Sequence, residues 1–457
     1  MSSITLALTM NNFELPGPEK TLPRLSNRSK GSQASAAFIE KFEDLLNKQY
    51  SSQNVNGLIN FGVAENTLMQ AELKEYFNSH LDLQDLDFTY GDSCAGSKRL
   101  FDAVIRLLDR HFKPLKPVLH EHLICGAGQS AILDQLTHML CDEGEGILVA
   151  NPFYSGFIND ISCRAGCHLI GIDVGTEDPS SPSTLAAFDA YMSSSPFIRP
   201  RAVILCNPNN PLGFNYPRAT LLAYCEFVER WNLHLLCDEI YALSQFANKE
   251  KERAGTKRDF VSMLNVDVRR ETGCDPARVH VLYGMSKDFG ANGLRLGVFV
   301  TQHNPQLRKT LLGTSLLMKV SSPSDALWSA LLNDDQMLER VVTTNQIRLG
   351  KTLQHCQDFF SKHNVPIIQP EAAHFIFIDL RSYLRQTDDS GKKLATPAEQ
   401  ETDLFYSFIR NGVYVASGSS YGYPIPGWFR FTFCVRRDYL DLGFDRIAKT
   451  LDSRKQQ

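Results

Sequence analysis

Apolar positions along the chain change their spacing repeatedly, and each change marks an element. Residues 36–50 (AAFIEKFEDLLNKQY) put Phe38, Ile39, Phe42, Leu45 and Leu46 at helical intervals. The residues ahead of them, 1–35, are polar and hold Pro16, Pro18 and Pro23, which reads as a flexible arm. Leu58–Val63 is a short apolar run and predicts a strand. Residues 99–112 (RLFDAVIRLLDRHF) return to helical spacing. His122–Cys125 leads through a Gly-rich turn into a helix over 130–141. Gly146–Ala150, His168–Asp173, Ala202–Cys206, Leu233–Cys237, Val279–Tyr283 and Gly297–Val300 read as short buried strands, with a helix over 217–231 among them. Short apolar strands alternating with helices predict an α/β fold whose mostly parallel sheet is covered on both faces.

Beyond residue 305 the texture shifts to long helices, predicted over Leu307–Leu317, 323–333 and 335–363. Phe375–Asp379, Val413–Ala416 and Phe429–Phe433 then read as strands of a smaller α+β unit that ends in a helix over 438–451. The stretches 175–184 and 385–398 read as loops, and no internal repeat is evident.

Composition narrows the function classes. A hydrophobic share of 43% against 21% charged residues is ordinary globular usage and supports a sizeable core. The formal charge of −4 and the lack of a basic block argue against a nucleic-acid partner. Lys251, Arg253, Lys257 and Arg258 cluster loosely, but Glu250 and Glu252 interrupt them, as in a solvated surface loop. No apolar run reaches the length of about 18 residues that a membrane span needs. The N-terminal MSSITLALTMNN lacks the basic start of a signal peptide, and the final RKQQ matches no retention or peroxisomal signal. The eleven cysteines are scattered, with Cys163 and Cys167 the one close pair. That pattern predicts reduced thiols in a cytoplasmic protein and no metal site.

Candidate chemistry falls where predicted strands end, the edge at which open α/β sheets bind ligands. Lys287, in Tyr283-Gly-Met-Ser-Lys-Asp-Phe-Gly290, is either a surface charge or an amine held to form an imine. Arg295 follows eight residues later and suits a phosphate. Asp238 is either a helix cap or a carboxylate paired with a protonated ring nitrogen. Tyr241, three residues on, is packing or a donor to a ring oxygen. Asn210, in Asn207-Pro-Asn-Asn-Pro-Leu-Gly213, belongs to a turn or donates to the same oxygen. Cys125-Gly-Ala-Gly-Gln-Ser130 is a small-residue turn whose backbone N–H groups suit an anion. Tyr154 offers a face for ring stacking or fills core. Arg430, alone in an apolar strand, requires an anion: an internal carboxylate or that of a substrate.

Together these positions resemble the aminotransferase class I/II family of fold-type I enzymes, which use pyridoxal 5'-phosphate (PLP). The resemblance covers about 55–450 and rests on Gly62-Val-Ala-Glu65-Asn66, Asn207–Gly213, Asp238-Glu-Ile-Tyr241, Ser286-Lys287-Asp288 and Arg295. It is nearest the 1-aminocyclopropane-1-carboxylate (ACC) synthase-like branch, including fungal members of secondary metabolism. The resemblance implies a seven-stranded, mostly parallel sheet flanked by helices, with a smaller α+β domain. It divides the chain into an arm over 1–35, small-domain parts over 36–65 and 331–457, and a large PLP-binding domain over 66–330.

Residue roles carry over by position. Lys287 matches the lysine that holds PLP as an imine and serves as general base. Asp238 matches the partner of the ring nitrogen, Tyr241 and Asn210 the donors to the ring oxygen, and Tyr154 the stacking aromatic. Gly128, Gln129, Ser130 and Arg295 match the phosphate cup, Ser286 a cofactor contact, and Arg430 the binder of the substrate α-carboxylate. Glu65 lies where selectivity is set. Tyr90 matches a tyrosine that reaches the neighbouring subunit's phosphate, which implies a homodimer with shared sites and a small amino-acid substrate. Gly284 departs from the pattern, since many relatives carry a serine there aimed at the phosphate. Gly128-Gln129-Ser130 also differs from the corresponding loop of plant ACC synthases. The carbanion chemistry is compatible with transamination, carbon–sulfur lysis or ACC formation, and the first two are favoured. A catalytically inactive regulator on the same fold is the reading of another class, and intact Lys287, Asp238, Tyr241, Arg295 and Arg430 argue against it.

Overall fold

The computed structural model describes residues 23–175, 178–246, 255 and 257–455. Short buried runs form its main sheet. The strands are β2 (Leu123–Gly126), β3 (Gly146–Asn151), β4 (His168–Asp173), β5 (Pro200–Cys206), β6 (His234–Asp238), β7 (Val279–Gly284) and β8 (Gly297–Val300), following a small β1 (Ile59–Asn60). They line up as β2-β8-β7-β6-β5-β3-β4. Strands β3 to β7 pair in parallel, and β8 runs antiparallel to both β2 and β7. The expected mostly parallel seven-stranded sheet is therefore present. Strand β5 is almost wholly buried, while β4, at the edge, buries only Ile172 fully.

Helix Lys98–His111 shows how the cover forms. Ser97 caps it by accepting from the Leu100 N–H. Its buried stripe of Leu100, Phe101, Val104, Leu107 and Leu108 faces the core. Arg99 pairs with Asp87 at 2.5 Å and with Asp325 of helix Ser322–Asn333 at 2.7 Å, fixing the two helices together.

A second sheet, β12-β13-β10-β9, is antiparallel and comprises Ile367–Ile368 (β9), Phe375–Asp379 (β10), Ala416–Ser417 (β12) and Trp428–Thr432 (β13). Beside it β1 pairs in parallel with β11, Val413–Tyr414. The single strand expected over Val413–Ala416 is thus two, because its halves pair with different partners. One hydrophobic core surrounds the large sheet, and a second gathers Ile59 and Phe61 with Leu349, Phe360, Phe431 and Leu451. Helix Asp335–Lys362 serves both, giving Leu338 and Val341 to the first and Leu349 and Leu353 to the second.

Several elements differ from the sequence reading. The first helix spans Ser29–Asn47, so it begins inside the expected arm, whose residues 1–22 lie outside the described residues. The helix expected over Leu307–Leu317 stops at Leu312, before Gly313, and resumes as a 3-10 turn over Ser315–Met318. Helices Gln70–His80, Gly156–Ser162, Leu185–Ser193 and Pro397–Arg410 are additional. Of the basic cluster, Lys251 and Arg253 fall outside the described residues. Arg258 is not simply solvated: it pairs at 3.2 Å with Glu371, whose side chain is fully buried. Among the described residues no helix is long and apolar enough to cross a membrane.

Candidate active site

Strands β5, β6 and β7 end at one edge of the sheet, where Cys206, Asp238 and Leu282 are level and Asn207 and Gly284 lie just beyond. The reversed direction of β8 completes this edge. Gly297, its first residue, pairs with both Gly126 and Gly284, so Arg295 stands beside the ends of β2 and β7. Gly128 turns the chain there with φ +90°, and a Cβ on it would lie 2.1 Å from Arg295 Nη2. Only glycine lets the guanidinium approach the turn this closely. Helix Gln129–Leu140 starts at the same point and directs its first N–H groups toward the turn. The side chains of Gln129 and Ser130 leave it, however. Gln129 Nε2 donates to Asp238 Oδ1 at 2.6 Å, and Ser130 Oγ donates to Asp160 Oδ2 at 3.1 Å.

Asp238 is buried at the end of β6. Its Oδ1 also accepts from the Ile240 N–H at 3.1 Å. No described residue donates to Oδ2. Burial pushes the carboxyl up to about 6, opposed by the bonds from Gln129 and Ile240 and by the nearby Lys287. Lys287 follows β7, and its Nζ donates to the Ala64 carbonyl at 2.8 Å. Burial, with the charge of Arg430 next, lowers its amine to about 8. Ser286, beside it, is half-buried. Tyr241 is 2% exposed, and burial raises its phenol well above the ordinary value. Its ring meets those of His374 and Phe375 edge-on, with centroids at 5.1 and 5.4 Å. Tyr154 lies over Gly156 and packs edge-on against Phe157.

Arg430, on β13, is 3% exposed. Its Nη1 donates to Asn210 Oδ1 at 3.0 Å and its Nη2 to the Gly62 carbonyl. It stacks on Tyr421 and Phe375, while its buried Nε has no partner. No carboxylate among the described residues pairs with it. The internal-carboxylate alternative therefore finds no support among them.

Sequence reasoning missed a network behind Lys287. Asp288 Oδ1 accepts from Ser244 Oγ at 2.6 Å, and its Oδ2 accepts from the Leu243 N–H and the Tyr283 hydroxyl. Ser244 Oγ also lies 2.9 Å from His374 Nε2. The serine proton is used on Asp288, so His374 donates from Nε2 and its buried Nδ1 stands bare. Asn345 Nδ2 donates to the Asp288 carbonyl, and Asn345 Oδ1 accepts in turn from Asn66 Nδ2. A histidine before an apolar strand was the only local signal for this group. Two expected residues are not drawn into the cluster. Glu65 is exposed at its rim, though its charge acts on Lys287. Tyr90 is 80% exposed.

This arrangement fits PLP. The Gly128 turn with Arg295 suits its phosphate, the open Oδ2 of Asp238 its ring nitrogen, and the Lys287 amine its aldehyde.

Comparison with known proteins agrees. Residues 56–447 match the family described as aminotransferase class I and II. The chain is 31% identical over 457 residues to the Aspergillus fumigatus protein named probable aminotransferase gliI, covering 96% of this chain and 99% of that one. It is 26% identical to 1-aminocyclopropane-1-carboxylate synthase 2 of Solanum lycopersicum, over 96% of this chain and 89% of that one. Among solved structures, the aromatic aminotransferase of Pyrococcus horikoshii aligns with a TM-score of 0.69 at 18% identity, covering 90% of this chain and 99% of that chain. The Thermus thermophilus aspartate aminotransferase with maleate gives 0.67 at 16%, covering 94% and 100%; both establish the fold. The chain belongs to the aminotransferase class I and II family and is a PLP-dependent enzyme.

Proposed function

We propose that the chain transfers the amino group of an α-amino acid to a 2-oxo acid. The carrying observation is Arg430: a buried guanidinium with an unpaired Nε and no described carboxylate partner, on the same side of the molecule as Lys287, whose amine it perturbs. A substrate α-carboxylate satisfies it, and fork-like donors favour that geometry. The named aminotransferases among the relatives support transfer over other outcomes.

The roles follow. Bound PLP supplies an electron-accepting ring that stabilises negative charge on the substrate α-carbon. Asp238 Oδ2 holds a proton on the ring nitrogen. Asn210 Nδ2 and the Tyr241 hydroxyl donate to the ring oxygen, and Tyr154 covers the ring. Arg295, Ser286 and the N–H groups of the Gly128 turn hold the phosphate. Lys287 anchors the cofactor, and once released its neutral amine takes the α-proton. Positioned proton transfer of this kind contributes about 10²–10⁴-fold. Glu65 at the rim sorts side chains.

A homodimer is part of this reading. Phe88, Tyr90 and Leu317 are 79%, 80% and 80% exposed. Lys319 joins their segments by donating to the carbonyls of Tyr90 and Ser93, and the Met318 carbonyl accepts from the Ala127 N–H beside the phosphate turn. An exposed apolar face next to the turn suits a second copy that brings its own Tyr90. Light scattering should report twice the chain mass, and a monomer would overturn this part.

The test of the reaction is a panel of α-amino acids with a 2-oxo acid acceptor, run beside S-adenosylmethionine and cysteine conjugates. Mass analysis should show acceptor-dependent amino transfer. Thiol release without acceptor, or ACC from S-adenosylmethionine, would overturn it in favour of a lyase or an ACC synthase. Lys287→Ala should lose borohydride-fixable cofactor.

A further inference from the structure

We propose that Gln129 is a positioning residue for Asp238, holding its carboxylate ionised and presenting Oδ2 to the cofactor's ring nitrogen. The inference rests on PLP use and not on the reaction's outcome. Its basis is the division of labour at Asp238. Oδ1 takes both protein donors, Gln129 Nε2 at 2.6 Å and the Ile240 N–H at 3.1 Å. Two bonds to one oxygen fix the rotation of the carboxylate and leave the other oxygen open. Both donors favour the ionised acid over the neutral one, the Gln129 bond more than the Ile240 bond.

Gln129 is suited to this by its place. It opens helix Gln129–Leu140 directly after the Gly128 turn, so its backbone belongs to the phosphate turn while its amide reaches the strand that ends in Asp238. One residue joins the two ends of the cofactor site. Ser130 turns away to Asp160, leaving Gln129 as the member of that turn whose side chain meets Asp238.

The surroundings make the bond matter. Asp238 is 4% exposed, and burial favours its neutral form. Of the ionisable groups acting on it, only Lys287 favours the anion. Asp160 of helix Gly156–Ser162 and Glu239 are raised by burial, and in part by the Asp238 charge, to about 7 and about 8, so neither supplies a compensating charge. Tyr154, Tyr241, Cys206 and Cys237 stay protonated through burial and lend no positive charge. Without Gln129 the Ile240 N–H alone opposes desolvation among the hydrogen bonds. A protonated Asp238 would present one oxygen as a hydroxyl, and the ring nitrogen would lose its acceptor.

The experiment compares wild type with Gln129→Leu and the isosteric Gln129→Glu, which retains shape but replaces the amide. Two readouts are taken across pH 5 to 9. The first is the ¹⁵N shift of PLP labelled at its ring nitrogen, bound to each protein. The second is the ¹³C titration of the Asp238 carboxyl in cofactor-free protein. Loss of one donor to the charged form should raise the Asp238 midpoint by about one to two pH units. The ring nitrogen should then show its unprotonated signal at neutral pH in both variants, while wild type remains protonated. A midpoint and a ¹⁵N profile unchanged in both variants would overturn the proposal and leave Gln129 as packing. The cofactor-free titration decides the matter even if a variant binds PLP poorly.

Discussion

Arg430 donates to Asn210 Oδ1 across 3.0 Å, a bond that ties β13 of the small sheet to the loop beyond β5 of the large one. Arginine has no acceptor, so the bond also settles which way the amide faces. Asn210 Oδ1 points to Arg430, and its Nδ2 is left as a donor on the other side. On the roles proposed above, the residue that would hold the substrate's carboxylate thereby orients one that would hold the cofactor's oxygen, so the two functions would meet in one hydrogen bond.

Replacing Arg430 tests this coupling. Arg430→Lys keeps the charge but not the fork, and it removes at least one of the bonds to Asn210 and Gly62. Hydrogen bonds to charged groups contribute about 1.5–3 kcal/mol, so KM for the amino acid should rise about 10- to 150-fold. Steady-state kinetics with varied amino acid checks it. An unchanged KM would mean that the carboxylate binds elsewhere.

The lowered amine of Lys287 predicts the pH course of cofactor loading. A neutral amine is needed to attack the aldehyde. Burial and then Arg430 bring Lys287 to about 8, so the reactive form accumulates above that pH. A free lysine side chain would require about 10.4. The rate at which cofactor-free protein gains borohydride-fixable PLP should rise with pH to a plateau with a midpoint near 8. A midpoint near that of free lysine would show that the site leaves the amine solvated.

Much of this was readable from residues alone. The strands of the large sheet stood out because buried parallel strands are short apolar runs between turns. Lys287, Asp238 and Arg295 fell at their ends by spacing. The direction of β8 did not stand out, because periodicity carries no sign, and yet that reversal places Arg295. Helix Pro397–Arg410 was hidden within a polar stretch, although Thr396 and Glu399 form the capping box that announces it. Helix Gln70–His80 buries only Leu73 and Tyr76, too few to set a period. The Ser244–His374 contact spans 130 residues of chain, and the Gln129–Asp238 bond spans 109. Such pairings arise from tertiary packing, which no local pattern encodes.

Gly284 stands where the family resemblance leads one to expect a serine, and the structure shows why introducing one should fail. A Cβ at Gly284 would stand 2.8 Å from the Leu296 carbonyl oxygen and 3.1 Å from Ile240 Cδ1. The carbonyl belongs to the chain just before β8 and cannot withdraw as a flexible side chain does. Gly284→Ser should therefore destabilise by about 1–3 kcal/mol, the usual cost of overpacking, without tightening PLP binding. Denaturant unfolding and a PLP titration measure both. A stable variant with higher PLP affinity would show that β7 and β8 can part to admit the side chain.

Ser244→Ala should expose the role of the network behind Lys287. Asp288 is 4% exposed, and burial lifts its carboxyl to about 7 despite four stabilising bonds, the first from Ser244. That bond favours the ionised acid, so deleting it raises the value further. The sign follows from the ionised form alone needing the donor. Below about 7 Asp288 is already protonated and loses little; above it the buried anion has lost one of its four donors, at about 1.5–3 kcal/mol. His374 would lose its acceptor at any pH, adding a constant loss. The destabilisation of Ser244→Ala should thus grow between pH 6 and pH 8.5, measured by urea unfolding at each pH. His374→Leu, which keeps the Ser244–Asp288 bond, should lose stability by a similar amount at both. A pH-independent deficit for Ser244→Ala would mean that Asp288 stays in one protonation state across this range, and the network would then act only as a scaffold.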